Sequence, residues 1–176
     1  MSLVVVERTF PEAVTFDSVQ AIVDRGAWCF EVHGARVMKS YFSRDRRRMI
    51  CVYQAPDTDS VRLAQQKAGV PFDRAWPARF LPFSDPEPAD EAVIVERTLL
   101  TAIDEPAVRD IVARGEECHT LWGCRLVGSY LATDGGRLLC IYAAPDTESV
   151  RQAQRGALPL DRAWPSTIHR PPSANR

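Results

Sequence analysis

The sequence predicts an α+β fold built from two copies of one small unit. Three observations lead there. Short motifs recur in order at a constant spacing: Val4-Val5-Val6-Glu7-Arg8-Thr9 returns as Val93-Ile94-Val95-Glu96-Arg97-Thr98, Cys51-Val52-Tyr53 as Cys140-Ile141-Tyr142, and Ala55-Pro56-Asp57-Thr58 as Ala144-Pro145-Asp146-Thr147, each pair 89 residues apart. Each copy alternates β-branched runs with helical patterns in the order β-α-β-β-α-β, the ferredoxin-like unit. The third strand of each copy is apolar on both faces, so both faces need cover. The expected architecture is therefore two tandem ferredoxin-like (βαββαβ) repeats packed sheet to sheet as a pseudo-dimer within one chain, resembling an α+β barrel.

Within the first copy, residues 3–9 are a β-branched run and a strand that ends before Pro11. Residues 16–33 form a helix, with Asp17 or Thr15 as N-cap, Val19, Ile22 and Val23 on its apolar face, and Gly34 as the stop. Residues 36–43 and 49–55 are strands joined by a turn over 45–48 into a hairpin. The basic run Arg44–Arg48 thus reads as a solvated turn. Pro56 ends the third strand, and Asp57 opens a helix over 58–68. Residues 78–81 form a short fourth strand. Ser40-Tyr41 matches Ser129-Tyr130, and Gly135-Gly136 makes the hairpin turn that Arg46-Arg47 makes in the first copy. Towards the end the register slips by one, since Trp76 and Trp164 are 88 residues apart. The acidic, proline-rich stretch 83–91 is the linker between repeat 1 (1–82) and repeat 2 (92–170), and 171–176 is a disordered tail.

Composition narrows the function classes. Hydrophobic residues at 45% and charged residues at 26% describe a globular chain, and a formal net charge of −1 gives nucleic acid no electrostatic support. No stretch is apolar for long enough to span a membrane, and the N-terminus lacks the parts of a signal peptide. Five cysteines without dense spacing are not a disulfide framework, which fits a cytoplasmic protein.

The repeated pattern Val-Glu-Arg-Thr, a hairpin carrying Ser-Tyr and Cys-x-Tyr, and Ala-Pro-Asp before a helix with Arg62 resembles a bacterial family. It is the domain-of-unknown-function family 4242, the nickel-binding-protein-like family. The resemblance spans both copies and implies a ferredoxin-like α+β fold and nickel as cofactor. The family often carries a histidine shortly after the arginine matching Arg62. Here Leu63-Ala64-Gln65 and Gln152-Ala153-Gln154 stand there, so neither copy supplies that imidazole.

Candidate sites follow from charge and spacing. Glu7-Arg8 and Glu96-Arg97 put one charge on each face of a β-branched strand, and a charge turned inward needs a partner or a ligand. The structural alternative is an ion pair closing the strand end. Tyr41, Tyr53, Tyr130 and Tyr142 would add hydroxyls to an apolar wall. These eight residues are the expected ligand-binding set. Cys29 and His33, at i and i+4, could share a metal, and His119 is the candidate ligand in the second copy. The competing reading of Cys29 and Cys118 is as small buried hydrophobes, and of Cys51 and Cys140 as inert core. The copies differ at Phe30/His119, His33/Trp122 and Ala35/Cys124, so any site should be single and asymmetric.

The function expected is a small binding protein holding a metal ion or small molecule between or beside its repeats, with no nucleic-acid or membrane partner and a homodimer left open. The alternatives are an isomerase, cyclase or cofactor-free oxygenase of α+β-barrel type, by fold analogy, and an interaction module without ligand. No catalytic residue is readable.

Overall fold

A computed structural model describes residues 1–171, with Pro172–Arg176 outside it, so most of the expected disordered tail lies beyond the described residues. Contacts divide the chain into two units: Met1–Ala78 with the segment from Thr167 onward, and Arg79–Ser166. Among the described residues no helix is long and apolar enough to cross a membrane.

In the first unit, β1 (Ser2–Thr9) is followed by α1 (Phe16–Arg25), α2 (Ala27–Val32), β2 (Arg36–Ser43), β3 (Arg48–Ala55), α3 (Thr58–Ala68) and β4 (Arg74–Pro82). The sheet order is β4-β1-β3-β2, and every pairing is antiparallel, with Val4 opposite Tyr53 and Pro77, and Ser40 opposite Cys51. Two expectations change here. The single helix over 16–33 is broken at Gly26, because a Cβ there would lie 2.3 Å from the Ala68 Cβ, so this residue lets the helices meet. The fourth strand begins at Arg74, since Arg74–Ala78 pair with β1 in spite of Pro77. Thr15 is the N-cap of α1, accepting from the Ser18 N–H, and Asp57 caps α3 in the same way through Ser60.

In the second unit, β5 (Glu91–Thr98), α4 (Glu105–Leu121), β6 (Arg125–Ala132), β7 (Arg137–Ala143), α5 (Thr147–Ala153) and β8 (Arg162–His169) repeat the order, with β8-β5-β7-β6 as the sheet. The last residues of β8 belong to the first unit, and those of β4 to the second. Two differences between the units matter for function. The second unit's first helix is one unbroken element, and α5, with 7 residues, is shorter than α3, with 11. The shorter helix accompanies the one-residue slip in register.

Each sheet has a helix-facing side. Val4, Val6, Cys51 and Tyr53 pack with Phe30, Val61 and Ala64 there, and Val93, Val95, Cys140 and Tyr142 pack with Val108, Val150 and Ala153. Residues of the opposite side, such as Val5, Val52, Ile94 and Ile141, are buried too. That matches the apolar character of both faces in the sequence.

Candidate functional site

Strand alternation sorts the charged pair of each unit. Arg8 lies on the helix side with Val4 and Val6, and Glu7 points the other way. The same holds for Arg97 and Glu96. Two residues along the neighbouring strand from the position opposite Arg8 stands Cys51, close enough on the diagonal to touch it. Arg8 Nη1 donates to Cys51 Sγ at 3.2 Å and Nη2 to Gln65 Oε1 at 2.6 Å. Arg97 Nη1 donates to Cys140 Sγ at 3.3 Å, Nη2 to Gln154 Oε1, and Nε to the Leu158 carbonyl at 3.4 Å. Each sulfur also accepts from a serine on the hairpin partner, Ser40 at 3.1 Å and Ser129 at 3.2 Å. Arg8 and Arg97 are each 3% exposed.

The two clusters differ in how completely they are satisfied. In the second unit, Gln154 Nε2 donates to Tyr142 Oη at 2.9 Å and meets His119 Nε2. In the first unit Phe30 replaces that imidazole and stacks on Tyr53, with ring centroids 5.9 Å apart. Gln65 Nε2 and Arg8 Nε are buried there without a hydrogen-bond partner. An orphaned buried donor costs about 1–3 kcal/mol.

Electrostatics follow from burial. Desolvation works against the Arg8 charge, but Cys51 and Tyr53 outweigh it, and the guanidinium pKa is raised. Burial, reinforced by Cys140, pushes the Tyr142 phenol far above its ordinary range, so it stays a neutral hydroxyl. Burial and then the Arg97 charge hold His119 below the usual imidazole value. Cys124 is pushed up by burial and by Asp146.

A cavity adjoins the second cluster. It has a volume of about 40 Å³ and is walled by Arg97, His119, Cys140, Tyr142 and Gln154 together with Val108, Ile111, Leu138, Ala153 and Leu158. That is room for a few water-sized groups. Ile111, Gly115, Ala153, Ala157 and Leu158 also line a surface groove of about 470 Å³ between α4 and the turn after α5. On the other flank of α4, His119 and Val112 border a groove of about 380 Å³ with Glu116, Cys124 and Arg125. The wall is open because the unbroken α4 stands off α5: a Cβ on Gly115 would meet only the His119 ring, at 3.4 Å, whereas the matching Gly26 abuts Ala68.

The eight expected ligand residues therefore divide. Arg8 and Tyr53, and Arg97 and Tyr142, join the helix-side clusters. Glu7 and Tyr41, and Glu96 and Tyr130, lie on the opposite face, where the glutamates accept from Trp76 Nε1 at 2.7 Å and Trp164 Nε1 at 2.6 Å. Of the expected metal ligands, Cys29 is buried in α2, His33 is its half-buried C-cap, and His119 belongs to the second unit. Among the described residues no three His, Cys, Asp or Glu side chains are grouped to hold a metal. The pairing of Cys118 with Cys29 as buried hydrophobes fails on one side, since Cys118 is exposed, lining the groove beside α5, while His119, about 100° further round, is buried. Cys51 and Cys140 are buried in the core as expected, and each also accepts from an arginine.

Gln65 and Gln154 were not among the expected site residues. Their signal was present: each is an amide four residues after a buried valine, Val61 or Val150, on an otherwise apolar helix face, and it recurs in both copies.

Residues 5–77 match the family model described as nickel responsive protein SCO4226-like. The matched segment lies in the first unit. No curated protein sequence matches the chain. Among solved structures, a protein described as a candidate chlorite dismutase is 12% identical with a TM-score of 0.50, over 96% of this chain and 94% of its own. A candidate monooxygenase from Fusobacterium nucleatum subsp. nucleatum is 7% identical with a TM-score of 0.44, covering 96% and 91%. An anthrone oxidase-like protein is 6% identical with a TM-score of 0.45, covering 95% and 90%. At 12% identity the likeness to the first of these is one of fold alone.

Proposed function

We propose that this chain is a small-molecule binding protein whose site is the second-unit chamber beneath α4 and α5. One observation carries the reading: a cavity of about 40 Å³ abuts the buried Arg97–Gln154–His119 network and shares Ile111, Gly115, Ala153, Ala157 and Leu158 with an outer groove. An apolar hollow with a few convergent polar groups and a route to the surface is what a small ligand requires.

The family likeness over residues 5–77 supports a binding role and raises nickel as the ligand. The donors present do not fit a resident nickel ion. Cys29 is buried, His33 lacks a third ligand grouped with it among the described residues, and the stretch Leu63-Ala64-Gln65, where the family resemblance implies a histidine, has none. The chamber itself is walled by a guanidinium, which repels a divalent cation.

Native mass spectrometry of the full chain purified without a tag tests the reading. The expected result is an organic adduct that disappears in Ile111→Trp, which fills the chamber. An adduct unchanged in that variant, or none in either protein, removes the site. Elemental analysis of the same sample should find nickel far below one per chain.

A further inference from the structure

Among the described residues the chamber has one charged wall, Arg97, and no carboxylate is bonded to it. Arg97 is 3% exposed and is bonded to a sulfur, an amide oxygen and a backbone carbonyl. The neighbouring acid, Glu96, points to the other face of the strand, where Trp164 Nε1 and Arg162 occupy it at 2.6 Å and 3.8 Å. Tyr142 and His119 are held in their neutral forms by burial. Desolvating a cation without a counter-charge is costly, and an anion that enters beside it relieves that cost. The remaining wall is apolar, formed by Val108, Ile111, Leu138 and Ala153.

Resting on the chamber reading above, we infer that the ligand is a small amphipathic carboxylate, its head against Arg97 and its short apolar chain running past Ile111 and Leu158 to the surface groove. The chamber suits a group of carboxylate size but not a bulky ring. The rim of the groove carries Arg155, and also Arg114, whose charge is paired with Asp110 at 2.8 Å, so it is Arg155 that favours an acid at the entrance. The first unit supplies an internal contrast: Arg8 has the same sulfur and amide partners, but there α2 meets α3 at Gly26 and Ala68.

Isothermal titration of the full chain at neutral pH with hexanoate, hexan-1-ol and hexylammonium tests this. Hexanoate should bind about ten-fold or more tighter than hexan-1-ol, the gain of a charge-assisted bond, with no binding of hexylammonium. Arg97→Met should reduce hexanoate to the level of the alcohol, and Ile111→Trp should abolish both. Hexan-1-ol binding as tightly as hexanoate would overturn the acid assignment while leaving the chamber reading intact. Binding of neither overturns both. Hexanoate binding that survives Ile111→Trp places the acid elsewhere and refutes the inference. The comparison of the three ligands on the unaltered chain decides the charge preference even if Arg97→Met fails to fold.

Discussion

The buried Arg8–Gln65 pair invites a double-mutant cycle, because the first unit leaves it only partly satisfied. Gln65→Met removes the 2.6 Å bond from Arg8 Nη2 and leaves a cation whose Nε is already unpartnered. Breaking one side of a buried charged contact of this kind costs about 3 kcal/mol. Arg8→Met removes the charge but strands both ends of the Gln65 amide, which is fully buried, at about 1–3 kcal/mol. In the double variant the cation and the amide are both gone, and two methionines of adaptable shape fill their places. Its expected cost is within about 1 kcal/mol of wild type. The single losses sum to about 4–6 kcal/mol, so the non-additivity should be about 3 kcal/mol or more in favour of the double variant. Urea denaturation of the four proteins, followed by circular dichroism with equal slopes required, measures it. If the double variant loses the sum of the two single losses to within about 0.5 kcal/mol, the two groups do not depend on each other and the reasoning is wrong.

Other outcomes follow from the same geometry. Gly26→Ala should destabilise the protein by about 1–3 kcal/mol through overpacking on Ala68, whereas Gly115→Ala in the unbroken α4 should be neutral or stabilising by up to about 1 kcal/mol; thermal melts of the two compare them directly. Gly135→Ala combines a φ of 72° with a Cβ placed 2.5 Å from the Ile103 carbonyl oxygen, so it should lower the melting temperature by more than Gly115→Ala changes it. Arg46, the matching turn residue, has a φ of 61°, and Arg46→Gly should raise stability by about 1 kcal/mol or less, read by urea midpoint. His119 has its pKa lowered in the folded chain, so the unfolded chain takes up the proton first as pH falls below about 6.5. Stability is therefore unaffected by this group above that pH and is lost on acidification towards its folded value. His119→Phe should flatten that part of the stability profile and leave the share of His169, which is shifted the same way by burial.

Much of the scaffold is legible in residue order. The period-2 runs, the Asp57 cap, the Pro56 stop and the hairpin turn place β1 to β3 and α3 within a residue or so of where they lie. The fourth strand is not legible in the same way, because Pro77 argues against a ladder that the pairing with β1 nevertheless forms. The break at Gly26 is likewise invisible locally. The same glycine, at position 115, sits inside a continuous helix, and only the approach of Ala68 distinguishes the two.

For the site, the sequence by itself determined which residues are charged inside apolar strands, that Arg8 and Arg97 recur, and that Phe30/His119 and Ala35/Cys124 had diverged. It also determined the amides at 65 and 154 on apolar helix faces. The tertiary structure decided which face each charge takes, and so separated the arginines from the glutamates that adjoin them in the chain. It brought Cys140, Gln154 and His119 to one guanidinium from three elements, which no local pattern encodes. It also decided that the second unit holds a chamber where the matching helices of the first unit meet. The physical reason is that helix spacing depends on which side chain, or none, stands at each point of contact, and those contacts join residues far apart in sequence.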